Sequence, residues 1–274
     1  MTPTRRAFTL GSLASIAMPS LARAQNRSIV DSVGRHVEAS ARAARVMAAG
    51  PPASILLYVL APEAMVGWVP QPPDDAKRFL LPAVRGLGAS PRLTSRGDVP
   101  DTERITAFKP ELIVDFGSIG AGYVALADKV QSATHVPYAL IDGAIDKSAA
   151  ALRLAGDLLG RRERSTVLAT YAEQTLAKVD AVLAKAAGPR SRVYVARGSE
   201  GLLTAVRGSG LTEIVERAGA INVAEGKAER GGALSASLEQ VAAWKPDIVV
   251  AFDRAAWQAI RTQAGWGSRR RLIA

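Results

Sequence analysis

The chain holds few of the side chains that carry covalent or metal chemistry. Cysteine is absent, which excludes disulfides, iron–sulfur clusters and thiol nucleophiles. Only two histidines occur, His36 and His135, so we expect no histidine-rich site for a transition metal. Both lie outside the loops that follow predicted strands, and no Ser–His–acid set is evident. We therefore predict no catalytic residues, no metal site and no intrinsic cofactor.

The glycine-rich segments do not match known nucleotide sites either. Residues 117–122 read G-S-I-G-A-G, which lacks the spacing of a dinucleotide-binding turn. The sequence also contains no phosphate-binding loop and no G-x-S-x-G nucleophile elbow. We therefore expect a binding protein, not an enzyme.

One sequence unit occurs twice and must position whatever groups the protein uses. Residues 103–116 read E-R-I-T-A-F-K-P-E-L-I-V-D-F, and residues 239–252, 136 positions later, read E-Q-V-A-A-W-K-P-D-I-V-V-A-F. Each copy predicts a short helix that ends at Lys-Pro, because proline cannot continue a helix and disfavours helical geometry in the residue before it. The aliphatic run that follows is typical of a strand buried on both faces. The duplication predicts an α/β fold with two Rossmann-like lobes.

The remaining chain divides around these two copies. We expect an N-terminal lobe over residues 27–145 and a C-terminal lobe over residues 188–274. Residues 146–187 predict a long helical connection between the lobes, with Gly160 as a possible break. The segment after about residue 265 resembles neither a strand nor an amphipathic helix. We therefore expect a truncated second lobe that lacks an edge element.

Three shorter segments complete the prediction for the first lobe. Residues 29–37 alternate around Gly34 and predict a hairpin. Residues 39–49 carry small and basic side chains at helical spacing, and the aliphatic residues 55–59 predict a buried strand.

Ligands of open α/β sheets bind at the carboxyl ends of the strands. Applied to the predicted strands, this rule selects ten candidate ligand-binding residues: Pro62, Glu63, Trp68, Phe116, Ser118, Asp142, Arg197, Ser199, Phe252 and Arg254. The aromatic members offer flat apolar contact, and the two arginines could bind an anionic ligand as forked donors. Two alternatives stay open, in which Trp68 belongs to the core and Arg197 forms a surface salt bridge. Tyr194 lies in the middle of a predicted strand and is expected in the core.

The formal charge of +10 does not point to nucleic acid, because no basic stripe with interleaved aromatic residues appears. Part of the charge lies in residues 1–24, where Arg5 and Arg6 precede a short apolar stretch and an A-x-A site. This arrangement predicts a cleaved signal of the twin-arginine type. With no cysteine to acylate, we expect a soluble periplasmic product.

The order of these features resembles the class III periplasmic substrate-binding proteins of ABC importers. The resemblance covers nearly all residues from 27 to about 260. Besides the signal, the duplicated unit and the helical connection, it rests on A-P-E-A-M-V-G-W at 61–68, Y-V-A-R-G at 194–198 and E-I-V-E-R-A-G-A-I-N-V at 213–223.

This resemblance implies a monomer that binds a small-molecule metal chelate in a cleft between two lobes joined by a long helix. It implies a ferric siderophore first, with a corrinoid, haem or an oxyanion such as molybdate as alternatives. It also implies an ABC permease dimer at the inner membrane as partner, docked by Glu103 and Glu239 at the two repeated helices. The local alternative is that each glutamate only favours the helix dipole. From another class of protein, an α/β enzyme with an active site between the lobes stays open.

Overall fold

The computed structural model describes residues 27–94, 101–206, 209–224, 233–262, 266 and 271–273. The predicted signal over residues 1–24 lies outside these residues. Two parallel sheets organise the described chain, each with helices packed beside it. The predicted α/β fold with two lobes is confirmed.

The first lobe contains a parallel sheet, a hairpin and five helices before the connection. Strand β4 lies at the centre of the sheet and pairs with β3 on one side and β5 on the other. The predicted hairpin is present and turns at Gly34, where φ is +85°. The elements are β1 (Arg27–Val30), β2 (His36–Ala39), β3 (Val46–Ala48), α1 (Pro51–Leu60), α2 (Asp74–Lys77), α3 (Pro82–Arg85), α4 (Thr102–Ala107), β4 (Leu112–Gly117), α5 (Ala121–Thr134) and β5 (Tyr138–Asp142), with a 3-10 turn at Pro62–Ala64.

Both faces of this sheet are buried. Alternate residues of each strand enter opposite cores, so that Val114 packs on the side of α1 and Ile113 on the side of α5. This explains why β4 begins with an unbroken aliphatic run over residues 112–114.

The segment predicted to connect the lobes contains two helices. They are α6 (Ser148–Leu159) and α7 (Arg162–Leu183), preceded by a 3-10 turn at Ile145–Lys147. Helix α6 packs into the first lobe through residues such as Ala155 and Leu158. Gly160 ends it in the left-handed region with φ of +66°, and a Cβ atom there would lie 2.2 Å from the Ala41 carbonyl oxygen. The 22-residue helix α7 then runs on to the second lobe.

The second lobe repeats the parallel arrangement. Its sheet has the order β11–β10–β6–β8, and β7 pairs with β9 in a separate antiparallel ribbon. The elements are β6 (Arg192–Ala196), β7 (Leu203–Ala205), α8 (Gly210–Arg217), β8 (Ile221–Asn222), β9 (Ala233–Ser235), α9 (Leu238–Ala243), β10 (Ile248–Ala251), α10 (Arg254–Thr262) and β11 (Arg271–Ile273). Among the described residues, no helix is both long and apolar enough to cross a membrane.

The two copies of the repeated unit share one junction in detail. Lys109 and Lys245 both adopt the left-handed region, with φ of +46° and +47°. Arg45 lies directly before β3 and Arg192 is the first residue of β6. Each donates to the carbonyl oxygens of the lysine in the paired repeat and of the aromatic residue before that lysine. These guanidinium groups therefore satisfy carbonyls that the end of each helix leaves unpaired.

Three predictions in the sequence analysis were wrong. Residues 55–59 are not a strand but part of α1, because Pro51 and Pro52 occupy the first helical positions and Leu56, Leu57 and Leu60 bury one helical face. Residues 39–49 form no helix, since they contain the end of β2, a loop and β3. The end of the chain does contain a strand. β11 pairs in parallel with β10 at the edge of the sheet, as β5 does with β4.

The left-handed lysines allow a test of the junction. Replacing Lys109 by glycine should raise the free energy of unfolding by about 0.5–1 kcal/mol, because glycine adopts positive φ without the steric cost that a side chain incurs. The matched control is Lys129→Gly at an exposed interior position of α5, which should lower it by about 1 kcal/mol. Urea unfolding measures both values. Equal destabilisation by the two variants would contradict the junction described here.

Candidate ligand-binding cleft

A cleft of about 480 Å³ opens at the carboxyl ends of β4 and β5. The first lobe supplies most of the wall, including the start of α1, residues 115–118 and residues 142–144. The second lobe contributes Gly210 and Glu213 from the first turn of α8. The volume lies within the range of small-molecule sites, and the position is the one that open parallel sheets use for ligands.

Two glycines bring the ends of β4 and β5 close together at the base of the cleft. The Gly143 amide donates to the Gly117 carbonyl oxygen at 2.8 Å. A Cβ atom on Gly143 would lie 2.6 Å from the Gly117 Cα atom, and Gly117 has a φ of +141°. A side chain at Gly143 would therefore push the two strand ends apart, and one at Gly117 would be strained by the positive φ.

Asp115 supplies a buried carboxyl group to the cleft wall. Asp115 is 5% exposed, and its Oδ2 accepts a hydrogen bond of 3.2 Å from the Tyr138 hydroxyl. Burial raises the pKa of Asp115 to about 6, although the hydrogen bond from Tyr138 opposes this rise. Burial also raises the pKa of the Tyr138 hydroxyl, and the neighbouring carboxylate adds to that effect. Asp115 can therefore change its protonation state near neutral pH.

Two further carboxyl groups line the cleft from opposite lobes. Asp142 Oδ1 accepts from the Ala144 amide at 3.0 Å. Glu213 Oε2 crosses between the lobes and accepts from the Ile145 amide at 3.1 Å. Beside it on α8, Arg217 pairs with two aspartates of the first lobe and the connecting helix, Asp146 and Asp180. Glu213 holds the first turn of α8 against the rim of the cleft, and Arg217 holds the last turn.

The predicted first-lobe residues divide into two groups. Phe116, Ser118 and Asp142 line the cleft as expected from their place at strand ends. Pro62 and Glu63 begin the 3-10 turn and lie outside the cleft lining. The Glu63 carboxylate there binds the Arg161 guanidinium, with 2.8 Å between Oε1 and Nε.

Trp68 belongs to the core. It is 3% exposed, its Nε1 donates to the Val84 carbonyl oxygen at 3.0 Å, and its ring lies 5.5 Å from that of Tyr58. The structure therefore supports the alternative in which Trp68 belongs to the core.

The predicted second-lobe residues form a separate surface. Arg197 and Ser199 follow β6, while Phe252 and Arg254 follow β10, and all four lie outside the cleft lining. The Arg197 guanidinium lies 5.4 Å from the centre of the exposed Phe252 ring, as in a cation–π pair. Tyr194 is fully buried, and the expectation that it belongs to the core is confirmed.

Among the charged and aromatic side chains that line the cleft, sequence reasoning missed four: Arg92, Asp115, Tyr123 and Glu213. Only Asp115 left a signal in the sequence, because an acidic residue inside an aliphatic strand has no packing role. Glu213 was not singled out because a glutamate in the first turn of a helix is ordinary. Its position on the cleft depends on how the two lobes meet.

Glu103 and Glu239 occupy equivalent places in the two lobes. Both are exposed in the first turn of a six-residue helix, α4 or α9. Asp101 caps the first helix and Ser237 caps the second. The hydrogen bond with Ser237 lowers the pKa of Glu239. Each glutamate therefore lies at the surface, where a partner can reach it.

Comparison with known proteins places these features in a wider context. The sequence pattern of the family described as periplasmic binding protein matches residues 70–267. A comparison with functionally curated proteins found no match in sequence.

Solved structures with a similar fold include three binding proteins. An ABC transporter solute binding protein from Sulfurospirillum deleyianum has a TM-score of 0.77 at 21% identity, covering 88% of this chain and 76% of its own. The molybdate periplasmic binding protein MolA from Haemophilus influenzae has a TM-score of 0.69 at 20% identity, covering 90% and 83%. A periplasmic heme binding protein from Pseudomonas aeruginosa has a TM-score of 0.61 at 22% identity, covering 84% and 83%.

The buried carboxyl group of Asp115 leads to a prediction on stability. A folded pKa of about 6 exceeds the usual unfolded value near 4, so the folded protein binds the proton more tightly. The free energy of unfolding should therefore fall as the pH rises from about 4 to above 6. The Asp115→Asn variant lacks this contribution. Between pH 4 and pH 7, the difference in the free energy of unfolding between variant and parent should therefore shift by about 2–3 kcal/mol in favour of the variant.

Denaturant unfolding at several pH values measures this difference. A second variant, Tyr138→Phe, removes the hydrogen bond that holds the Asp115 pKa down and should enlarge the pH-dependent loss. The assignment to Asp115 is wrong if Asp115→Asn and the parent protein show the same pH dependence.

Proposed function

Because this chain belongs to the periplasmic binding protein family, we propose that it is the substrate-binding component of an ABC importer. It captures a metal chelate, first of all a ferric siderophore, and delivers it to the permease. The observation that carries the proposal is the cleft of about 480 Å³ at the carboxyl ends of β4 and β5, walled by both lobes. This is a site for reversible capture of one small molecule.

The contacts between the lobes support capture without a large rearrangement. Helix α7 spans the distance between the lobes, and Arg217 fastens α8 to that helix through Asp180. Glu213, in the first turn of α8, joins that helix to the backbone of the first lobe. A ligand therefore meets a largely formed site, which lowers the entropy cost of binding.

The placement of the histidines supports binding over catalysis. His36 lies exposed in the β1–β2 hairpin, and His135 ends α5 in the left-handed region with φ of +57°. Neither belongs to the cleft lining, so neither can act as a base toward a ligand there.

A ferric siderophore is the leading ligand, and a corrinoid, haem or an oxyanion such as molybdate are the alternatives. The similar structures named above include proteins described as binding heme and molybdate. Phe116 and Tyr123 give the cleft aromatic surface for the apolar parts of a chelate. The iron belongs to the cargo and not to the protein.

Delivery requires a permease, and the two exposed glutamates orient the protein on its surface. Glu103 and Glu239 present like charges from equivalent helices, which suits a permease dimer with two-fold symmetry at the inner membrane. Such contacts set orientation more than affinity. The twin-arginine signal exports the folded protein to the periplasm. There it acts as a monomer.

Capture of a chelate can be tested on the protein as its host makes it. Native mass spectrometry of protein purified from its own periplasm should detect one small molecule per chain, containing iron. Tryptophan fluorescence should then be quenched in a saturable way when the stripped protein is titrated with that species. Turnover of the bound molecule would instead favour the enzyme alternative.

Docking is tested by reversing charge at the two glutamates. Glu103→Arg with Glu239→Arg should reduce uptake into vesicles that carry the permease at least tenfold, because each side chain then repels the surface it should meet. Ligand affinity should stay unchanged. Glu163→Arg, at an exposed glutamate in the first turn of α7, is the matched control and should leave uptake intact. Normal uptake by the double variant would reject the docking role.

A further inference from the structure

We infer that the cleft selects a ligand that carries a protonated amine or another cationic group, and rejects ligands whose accessible face is anionic. This inference rests on the proposed function, because it specifies which chelates the same cleft accepts. It departs from the expectation that Arg197 and Arg254 meet an anionic ligand, since both lie outside the lining of the cleft.

The charges of the cleft carry the inference. Of the described residues, three carboxyl groups line the cleft, those of Asp115, Asp142 and Glu213, against one guanidinium group, that of Arg92. The two lobes share the negative charge, because Glu213 comes from α8 and the two aspartates from β4 and β5. A ligand held between the lobes therefore meets carboxyl groups on both sides.

These carboxyl groups keep acceptor capacity for a ligand. Within the described part of the chain, no Arg, Lys or His forms an ion pair with any of the three. The hydrogen bonds described for Asp142 and Glu213 come from backbone amides and involve one oxygen of each group. A carboxylate accepts several hydrogen bonds, so the other oxygen of each is available.

The burial of Asp115 allows the cleft to discriminate between cationic and anionic ligand groups. Asp115 is 5% exposed and lies at the cleft wall, where water screens its charge less than at the surface. A cationic group that displaces water from this site gains a charge-assisted hydrogen bond. A second anionic group placed there would be desolvated beside a like charge, which costs free energy.

This charge pattern distinguishes between the ligands under consideration. Haem exposes carboxylates, and molybdate is itself an anion, so both would meet like charge at the three carboxyl groups. A hydroxamate chelate with a free amine, or an amide-rich corrinoid, presents hydrogen-bond donors instead. Arg92 can then donate to oxygens of the chelate from the rim, because the residue is exposed.

A matched pair of chelates tests the charge. Ferrioxamine B carries a protonated primary amine, and its N-acetyl derivative has a neutral amide at that position. We expect the amine form to bind the full chain at least tenfold more tightly in a fluorescence titration, as one charge-assisted hydrogen bond allows.

Variants then assign the preference to the cleft. Asp142→Asn with Glu213→Gln should bring the two affinities to within about threefold and leave the acetylated form unaffected. Glu163→Gln, outside the cleft, should retain the preference. Circular dichroism and the affinity for the acetylated form verify that each variant is folded.

The outcomes separate this inference from the proposed function. Equal binding of the two chelates, or tighter binding of the acetylated one, overturns the charge preference while the capture of ferric chelates stands. A preference that survives in the double variant overturns the assignment to Asp142 and Glu213. Failure of both chelates to bind counts against the capture of ferric chelates, and this inference falls with it.

Discussion

The architecture depends on one junction, used twice, where a short helix passes directly into a buried strand. An arginine from the neighbouring strand, Arg45 or Arg192, bonds the carbonyl oxygens that the helix leaves open. An acidic residue after the proline, Glu111 or Asp247, accepts an amide at the start of that neighbouring strand. Polar contacts thus join the end of the helix to two strands, in addition to apolar packing. This fixes the register in which each central strand enters its sheet.

The cleft follows from this register. Once β4 and β5 are aligned in parallel, their carboxyl ends must emerge on the same edge, and Gly117 and Gly143 allow them to approach closely there. The same alignment places Asp115 two residues before the end of β4. There it is buried enough for its pKa to rise and close enough to the edge of the sheet to line the cleft. The chemical character of the site therefore depends on where the strand ends.

The parts of the fold that were predictable share a local cause. Lys-Pro ends a helix by sterics alone, Gly34 and Gly160 turn the chain because glycine tolerates positive φ, and Phe116 and Asp142 reach the cleft because they end strands. The failures have a different cause. Residues 55–59 are apolar enough for a strand, and only the burial of one face at Leu56, Leu57 and Leu60 identifies a helix. Strand β11 is short, and its pairing with β10 comes from tertiary context.

The same distinction explains why the residues that line the cleft differ from the predicted set. Strand ends were treated as equivalent in the two lobes, so Arg197 and Arg254 were given the same standing as Phe116 and Asp142. The two copies make the same hydrogen bonds at their helix–strand junctions. They contribute differently to the cleft, because the first lobe supplies its floor and the second lobe supplies the first turn of α8. Arg197 instead lies over Phe252 on its own lobe. Backbone hydrogen bonding constrains the junctions in both lobes, whereas the residues that line the cleft have no such requirement, so the two copies are free to differ there.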